Sequence, residues 1–433
     1  MQIIETKEDI KTFMFYWNSE TSLIIPIWCD MEKHPMNNEI SFLYVRFRNE
    51  EVDQGVRVMD FILPFNHNDC EKLEIDLSTS TQSKKVYNKK GLLQTELGIQ
   101  NTYDFQLEYF QKTNTLPNFE TISEVLTNFY NRLGLSNDLG KSIPIMKWVE
   151  LLRGFTNQYV DTQYIECIDS WVDGVEIPTL SRVERMGLRV VKKKFIDKWP
   201  SAEKQLKGDI VYTEYNPYTI TSRPSNRHGG VNYGALNKND GTREMIIPRD
   251  GKMFLQLDYD AYHVRIIAKM IGFDIPHKSG HQWLADKYGC SYKESKGRTF
   301  QIVYGGVSII DRRIPFFAQV DDYIQSMYKE AVRVGYVETP IGKRKISLEH
   351  IEDINAQKVF NYLLQATETE LNIEIIGKLF EAGIESMCLY SYDAFVFELD
   401  STEWITEIPK IKEIIESKGF PVKGSYGTDY SKL

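Results

Sequence analysis

The sequence has few cysteines and lacks the segments that direct a chain to a membrane. Its five cysteines are scattered along 433 residues and form no C-x-x-C pair, which is typical of reduced thiols in a cytoplasm. No apolar run approaches the roughly 20 residues of a membrane span. The first residues, MQIIETKEDIKTF, carry acids where a signal peptide has basic and apolar blocks. We therefore expect a cytoplasmic protein with no membrane partner.

An excess of positive charge is also missing. The net charge of −9 argues against a protein that coats nucleic acid indiscriminately, but it leaves room for basic groups concentrated in a groove. A hydrophobic content of 42% and a charged content of 26% are ordinary for a soluble globular protein. The length allows two or three domains. The sequence contains no internal repeat and no low-complexity linker.

Two short apolar segments carry acids that could share one site. The segment FLQLDYDAYHVR predicts a strand that ends on Asp258 and Asp260 and leads into a helix. Further along, CLYSYDAFVF is an apolar run with Asp393 in its middle. A lone buried carboxylate is costly, so acids on neighbouring strands at the floor of a cleft favour a divalent metal. The alternative is that each acid simply faces water at the end of its strand.

One predicted helix presents groups that suit a nucleotide. In SYKESKGRTFQIVYGGV, residues Lys296, Phe300 and Tyr304 are spaced by four and share a helix face. An ammonium, a phenyl ring and a phenol in a row suit a triphosphate below a stacked base. Aromatic residues at this spacing are also typical of a packed core, and that alternative stays open.

Polar and basic side chains are concentrated in two further segments. The segment TITSRPSNRHGGVNYGALN is rich in glycine and polar residues, and Arg223 in it, with Arg243 beyond it, could contact phosphates or base edges. The turn in YVETPIGKRKI carries Lys343 and Arg344 between strand-like flanks. For the first of these segments, an ordinary exposed loop is the alternative.

A long predicted helix places neutral hydrogen-bonding groups in one row. In INAQKVFNYLLQATETELNIEIIGKLF, residues Gln357, Asn361 and Gln365 lie four apart on a helix that is otherwise apolar. Such a row could touch the minor groove of a duplex, whose acceptor pattern these side chains read weakly.

The first part of the chain predicts a separate α/β or α+β domain. Three strand-like runs lie between residues 21 and 65, and a helical pattern follows from about residue 118 to residue 172. The first strand ends in Asp30 and Glu32, again two acids at i and i+2.

In this order, the segments resemble the family A DNA polymerases, the group of bacterial polymerase I and many phage replicative enzymes. The resemblance covers residues 173–433 and rests on RVERMGLRV, TSRPSN, LDYDAYHVRI, KGRTFQIVYGG, TPIGKR, NYLLQAT and YSYDAFVFE. It implies an α+β fold with the palm and fingers of a right hand. It also implies a phage-encoded, template-directed DNA polymerase that uses two Mg²⁺ ions, with Mn²⁺ as a substitute. The implied partners are primer-template DNA, deoxynucleoside triphosphates, and a processivity factor or other replisome proteins.

The resemblance also assigns roles to residues. The implied catalytic residues are Asp258, Asp393 and Lys296, and the implied metal ligands are Asp258, Tyr259 and Asp393. Nucleotide binding is implied for Tyr259, His263, Lys296, Phe300 and Tyr304. DNA binding is implied for Arg223, Arg243, Lys343, Arg344, Asn361 and Gln365.

This sequence departs from the family pattern at several places. The glutamate of the first catalytic motif is His263, and the glutamate that follows the second catalytic aspartate is Ala394. The interval from Gly187 to Thr221 has too few positions for the long helices of a usual thumb, so we expect a reduced or absent thumb. We expect His263 to take over a contact with Tyr304 and to close the space beside the 2′ position of the sugar.

Residues 1–172 occupy the place of the family's 3′–5′ proofreading exonuclease, an RNase H-like domain. Asp30 and Glu32 match its first motif, but the second motif has no acid after Asn88 and the third is wrongly spaced. Because two-metal hydrolysis needs about four carboxylates, we expect this domain to be inactive. Two other functions stay open: a non-catalytic primer-template binding protein derived from a polymerase, and an exonuclease that works through Asp30 and Glu32.

Overall fold

The computed structural model describes residues 1–51, 55–117, 138–159, 170–276, 279–402 and 404–433. The chain divides into two compact units, the first of Met1–Arg185 with Lys204–Lys207 and the second of Met186–Glu203 with Gly208–Leu433. The boundary expected at residue 172 falls inside the first unit. None of the helices in the described ranges is long and apolar enough to cross a membrane.

The first unit is built on a mixed six-stranded sheet in the order β1-β4-β3-β2-β5-β6. Strands β2, β3 and β4 are antiparallel neighbours, whereas β1, β5 and β6 join the sheet in parallel. The strands are β1 (Gln2–Ile3), β2 (Ser22–Trp28), β3 (Ile40–Glu51), β4 (Gly55–Pro64), β5 (Lys84–Val86) and β6 (Thr102–Asp104). The three strands predicted between residues 21 and 65 are confirmed.

Helices cover both faces of this sheet. They are α1 (Lys7–Ser19), α2 (Lys89–Leu92), α3 (Phe105–Thr113), α4 (Leu139–Ser142), α5 (Ile145–Tyr159) and α6 (Ile177–Glu184). Because side chains alternate along a strand, Leu23 and Ile25 of β2 pack with Trp148 of α5, while Ile24 packs with Trp17 of α1. The helical pattern expected between residues 118 and 172 is confirmed over α5. Residues 118–137 and 160–169 lie outside the described residues.

The second unit is built on a four-stranded antiparallel sheet in the order β15-β16-β12-β17. These strands are β12 (Lys252–Tyr259), β15 (Met387–Ser391), β16 (Ala394–Asp400) and β17 (Val422–Gly427). The shorter strands are β7 (Leu188–Arg189), β8 (Ile210–Val211), β9 (Tyr215–Asn216), β10 (Ser225–His228), β11 (Val231–Asn232), β13 (Tyr336–Glu338) and β14 (Lys345–Ser347). Strand β12 lies in the interior of the sheet, and its apolar residues Phe254, Leu255 and Leu257 are buried.

One long helix connects the other elements of this unit. The helices are α7 (Lys192–Lys198), α8 (Tyr262–Met270), α9 (Gly280–Tyr288), α10 (Tyr292–Gly305), α11 (Pro315–Val334), α12 (Ala356–Glu381) and α13 (Trp404–Ile415). Helix α12 contacts α8, α10, α11 and α13. It is therefore buried over most of its length, and its buried residues include the polar Glu368, Glu370 and Asn372.

The interval between Gly187 and Thr221 contains no long helix. Its longest helix is α7, with seven residues, and the remainder consists of two-residue strands and a 3₁₀ turn at Pro200–Gln205.

Candidate active site

The central sheet brings Asp258 and Asp393 to the same end of two neighbouring strands. Asp258 lies opposite Ala394 in the antiparallel pairing of β12 with β16. The segment expected as one apolar run forms two strands, and Asp393 lies in the tight turn that joins them, between Ser391 and Ala394. The N–H of Tyr259 donates to the carbonyl of Asp393 at 3.1 Å. Strand β12 therefore carries Asp258, and the turn beside it carries Asp393.

The electrostatics of this pair favour a bound cation. Burial and then the charge of Asp393 raise the pKa of Asp258 to about 6. Burial and then the charge of Glu368 raise the pKa of Asp393 as well. The Oδ1 atom of Asp258 is buried with no hydrogen-bond partner among the described residues. Asp258 thus lacks part of the compensation that a buried negative charge requires, and each of the two acids is harder to ionise than a free one.

A magnesium site can be built with only two carboxylates from the protein. Within the described ranges, no group of three or more His, Cys, Asp or Glu side chains is arranged to hold a metal by itself. Mg²⁺, however, is usually held by one or two carboxylates, water and the phosphates of a substrate. Asp258 and Asp393 fit that type of site.

A cavity of about 260 Å³ contains the two acids and most of the predicted nucleotide-binding residues. Its lining includes Arg223, Asp258, Tyr259, His263, Lys296, Phe300, Tyr304, Glu368, Tyr392 and Asp393. The sequence therefore identified a set of side chains that the fold brings together from strands and helices far apart in the chain.

Helix α10 presents the predicted nucleotide-binding face. The helix begins at a capping box of Ser291 with Glu294, and the chain turns at Gly306 with φ 108°. The rings of Phe300 and Tyr304 stack with centroids 5.8 Å apart and planes 9° from parallel. Phe300 is 41% exposed, so this ring is not a packed core residue, and a flat apolar surface faces the cavity.

The contact predicted between His263 and Tyr304 is confirmed. The Nδ1 atom of His263 is the hydrogen-bond partner of the Tyr304 hydroxyl. Its Nε2 atom lies 3.1 Å from Oε2 of Glu368. Glu368 was not among the predicted site residues, although its position three residues after Gln365 on the same predicted helix was a signal that could have found it.

The side chains of two residues beside Asp258 form hydrogen bonds or ion pairs with other parts of the protein. The ring of Tyr259 is buried and its hydroxyl donates to the carbonyl of Ile415 at 3.0 Å, so only its main chain faces the cavity. Asp260 accepts a hydrogen bond from the N–H of Gly280 at 2.7 Å and pairs with Arg265 and Lys423. Asp260 is therefore paired with two cationic side chains.

The four basic residues predicted to bind DNA lie in different surroundings. Arg223 pairs with Glu368 at 2.9 Å and covers the ring of Tyr392. Lys343 is exposed in the turn between β13 and β14.

Arg344 and Arg243 are engaged with the protein itself. Arg344 is only 4% exposed and donates to the carbonyl of Ser222 at 3.0 Å, so it holds the loop before Arg223. Arg243 donates to the carbonyl of Leu236 at 3.0 Å and lies over the ring of Tyr430.

The row of amides on α12 reaches the end of α10. Asn361 donates to the carbonyl of Tyr304 at 3.2 Å, and Gln357 donates to the carbonyl of Val303 and to Asn361. These two side chains cap orphan carbonyl groups of a helix end. Gln365 is partly exposed on the same helix.

The acids at the end of β2 are paired with lysines. The carboxylate of Asp30 accepts from the N–H of Glu32 at 3.0 Å and lies 3.7 Å from Nζ of Lys33. Glu32 pairs with Lys204. A metal would need free carboxylate oxygens on Asp30 and Glu32, but a lysine ammonium group already lies beside each of these acids.

Comparisons with known proteins place this geometry in context. No family model matches the sequence. The chain is 28% identical to DNA polymerase I of Synechocystis sp. (strain PCC 6803) over 35% of its own length, and it covers 17% of that protein. The fold is similar to the POL domain of Pol1 from M. smegmatis, solved in complex with DNA primer-template and dNTP, with a TM-score of 0.66, 13% identity and full coverage of both chains. The fold is that of a polymerase domain.

Proposed function

We propose that this protein is a template-directed DNA polymerase that adds deoxynucleotides to a primer 3′-hydroxyl. The observation that carries the proposal is a single cavity that contains Asp258, Asp393 and Lys296 beside the aromatic face of α10. The similarity to a POL domain solved with primer-template and dNTP supports the same ligands here. The phage-type assignment rests on the sequence resemblance alone.

Two carboxylates would hold the metals. The unpartnered Oδ1 of Asp258 and the raised pKa values of Asp258 and Asp393 fit divalent cations. The main-chain carbonyl of Tyr259, a residue that lines the cavity, would be a further ligand. Bound Mg²⁺ or Mn²⁺ would lower the pKa of the primer hydroxyl and neutralise charge on the departing pyrophosphate.

The other residues of the cavity would bind and orient the triphosphate. Lys296 would place its ammonium against the phosphate oxygens, where negative charge develops. The exposed ring of Phe300 and the stacked ring of Tyr304 would pack on the incoming base and sugar. His263 would fill the space beside the sugar because its ring is fixed on Tyr304.

The DNA-binding residues would act in two ways. Lys343 and Gln365 remain accessible and would contact the duplex directly. Arg344 and Asn361 would act by holding the Ser222 loop and the end of α10 in place. Arg223 and Arg243 lie on aromatic rings and would present the remaining edge of each guanidinium to phosphates.

We further propose that the thumb is reduced. The absence of a long helix between Gly187 and Thr221, an interval the structure describes throughout, leaves little to close over a duplex. A processivity factor is the partner that this arrangement calls for.

We propose that the first unit has an exonuclease-like fold without activity. Its sheet ends in Asp30 and Glu32, but each of these acids faces a lysine. A hydrolytic site that needs about four carboxylates is not supplied by this pair.

A labelled-primer assay separates the candidate functions. Lengthening with template, dNTPs and Mg²⁺ supports the polymerase. An unchanged primer that still binds the protein supports a non-catalytic binding protein, which the loss of an acid at Ala394 would favour. Shortening supports an exonuclease.

A further inference from the structure

Glu368 is a buried carboxylate that contacts two other elements of the cavity. It is 1% exposed in the middle of α12. Nη2 of Arg223 donates to Oε1 of Glu368 at 3.0 Å, and Nε2 of His263 lies 3.1 Å from Oε2. Burial alone would raise the pKa of Glu368, but His263 and Arg223 hold it below its usual value. The carboxylate is therefore charged, with the guanidinium of Arg223 hydrogen-bonded to one oxygen and the imidazole of His263 close to the other.

Each partner of Glu368 leads to a different part of the proposed machinery. His263 is bonded through its other ring nitrogen to Tyr304 on the nucleotide-binding face. Arg223 lies 3.9 Å from the ring centroid of Tyr392, the residue that precedes Asp393. Tyr392 has φ 58°, a conformation that is strained for a bulky residue and persists only when its surroundings hold it.

We propose that Glu368 is the positioning residue of this cavity, an inference that rests on the proposed polymerase function. Through His263 it fixes the hydroxyl of Tyr304, and through Arg223 it supports the strained turn that carries Asp393. One carboxylate thus couples the nucleotide-binding face to the metal-binding turn. Deoxynucleotide affinity should therefore depend on Glu368 although its side chain is closed to solvent.

Glu368→Gln is the test variant because it preserves shape and removes the charge. Loss of a hydrogen bond to a charged group predicts an increase in KM for deoxynucleotide of about tenfold, with a smaller change in kcat. The dissociation constant of Mg²⁺·dNTP for a dideoxy-terminated primer-template complex should rise by the same factor.

Glu370→Gln is the matched control on the same helix. Glu370 is also buried, but it accepts from Thr339 at 2.6 Å and does not line the cavity. We expect this variant to unfold at a lower temperature while it keeps the KM of the parent protein. An equal rise in KM for both variants would show that any lost charge in α12 has this effect, and would overturn the inference.

A double-mutant cycle tests the route through His263. His263→Gln combined with Glu368→Gln should raise KM no more than the worse single variant, because the two changes remove the same contact. Additive effects, or an unchanged KM in Glu368→Gln, would overturn the inference while primer extension by the parent protein upholds the proposed function.

If the parent protein binds dNTP without extending primers, the polymerase proposal fails and the binding titration still decides the role of Glu368. If the parent protein does not bind dNTP, both proposals fail.

Discussion

The N–H of Tyr259 and the carbonyl of Asp393 share a hydrogen bond of 3.1 Å across the end of the central sheet. The bond joins the last residue of β12 to the turn between β15 and β16. It therefore fixes the backbone on which Asp258 and Asp393 stand. One proposed metal ligand thus lies at the end of a sheet strand and the other in a tight turn bonded to that strand, which suits a site whose ligands must be held in a fixed geometry.

The stability of the metal-free protein should depend on Asp258 and on pH. The pKa of Asp258 is about 6 in the folded chain and about 3.9 in an unfolded one. The folded state thus binds more protons between these values, and the free energy of unfolding falls as the pH rises from about 4 to about 6. Asp258→Asn removes the free-energy cost of ionising this buried carboxylate. Above pH 6 we expect the variant to be more stable than the parent, by on the order of 1–3 kcal/mol, with the difference disappearing below pH 4.

Thermal unfolding with and without Mg²⁺ measures this effect. Mg²⁺ should stabilise the parent protein by binding the folded state and should stabilise Asp258→Asn much less. Asp260→Asn is the matched control. Burial alone would raise the pKa of Asp260, but Lys423, Gly280 and Arg265 hold it below the usual value, so this variant should lose stability. A destabilised Asp258→Asn at pH 7 without metal would contradict the account.

His263→Ala should relax selection against ribonucleotides. Removal of the ring opens the space beside the sugar and leaves the Tyr304 hydroxyl without its partner. Small groups in a binding pocket discriminate by about tenfold or more, so we expect a gain of that size in the ribonucleotide-to-deoxynucleotide ratio of kcat/KM. His281→Ala is the control, because His281 lines the same cavity and neighbours Phe300 instead. An unchanged ratio in His263→Ala would make His263 an ordinary packed histidine.

The protein alone should leave its primer after few additions. The interval from Gly187 to Thr221 has no helix longer than seven residues, and grip that relies on phosphate contacts weakens steeply with salt. Extension from a preformed complex in the presence of excess trap DNA should give short products that shorten further as salt is raised. Long products under these conditions would mean that another segment encloses the duplex.

Proofreading should be absent. Asp30 and Glu32 are paired with Lys33 and Lys204 rather than free to bind metal. A single-stranded primer labelled at its 5′ end should stay full length with Mg²⁺ in the absence of dNTPs. Shortening that persists in Asp258→Ala but disappears in Asp30→Ala would show an active exonuclease.

Local patterns predicted the elements of the site well. Strand β12 was evident from the short apolar segment that precedes Asp258, and the face of α10 was evident from its spacing of four. The chain order of the motifs then indicated which segments meet. Periodicity and order are properties of the sequence itself, so no tertiary information was needed for them.

Pairings between distant segments could not be predicted in the same way. Glu368 meets His263 and Arg223 only because α12 crosses α8 and the Ser222 loop. Arg344 looked like an exposed cation, but it is buried against a carbonyl of that loop. The turn at Tyr392 was hidden too, since a tyrosine with positive φ replaces the glycine or asparagine that usually marks a tight hairpin.

Primer extension tests the central claim most directly. The parent protein is mixed with a 5′-labelled primer on a longer template, the four dNTPs and Mg²⁺, beside Asp393→Asn as a control that retains the fold of the sheet. The account predicts template-directed lengthening by the parent protein and a loss of at least a thousandfold in Asp393→Asn, about 4 kcal/mol of transition-state stabilisation, with primer-template binding retained. A parent protein that binds the primer-template and leaves the primer unextended would contradict it, as would equal extension by Asp393→Asn.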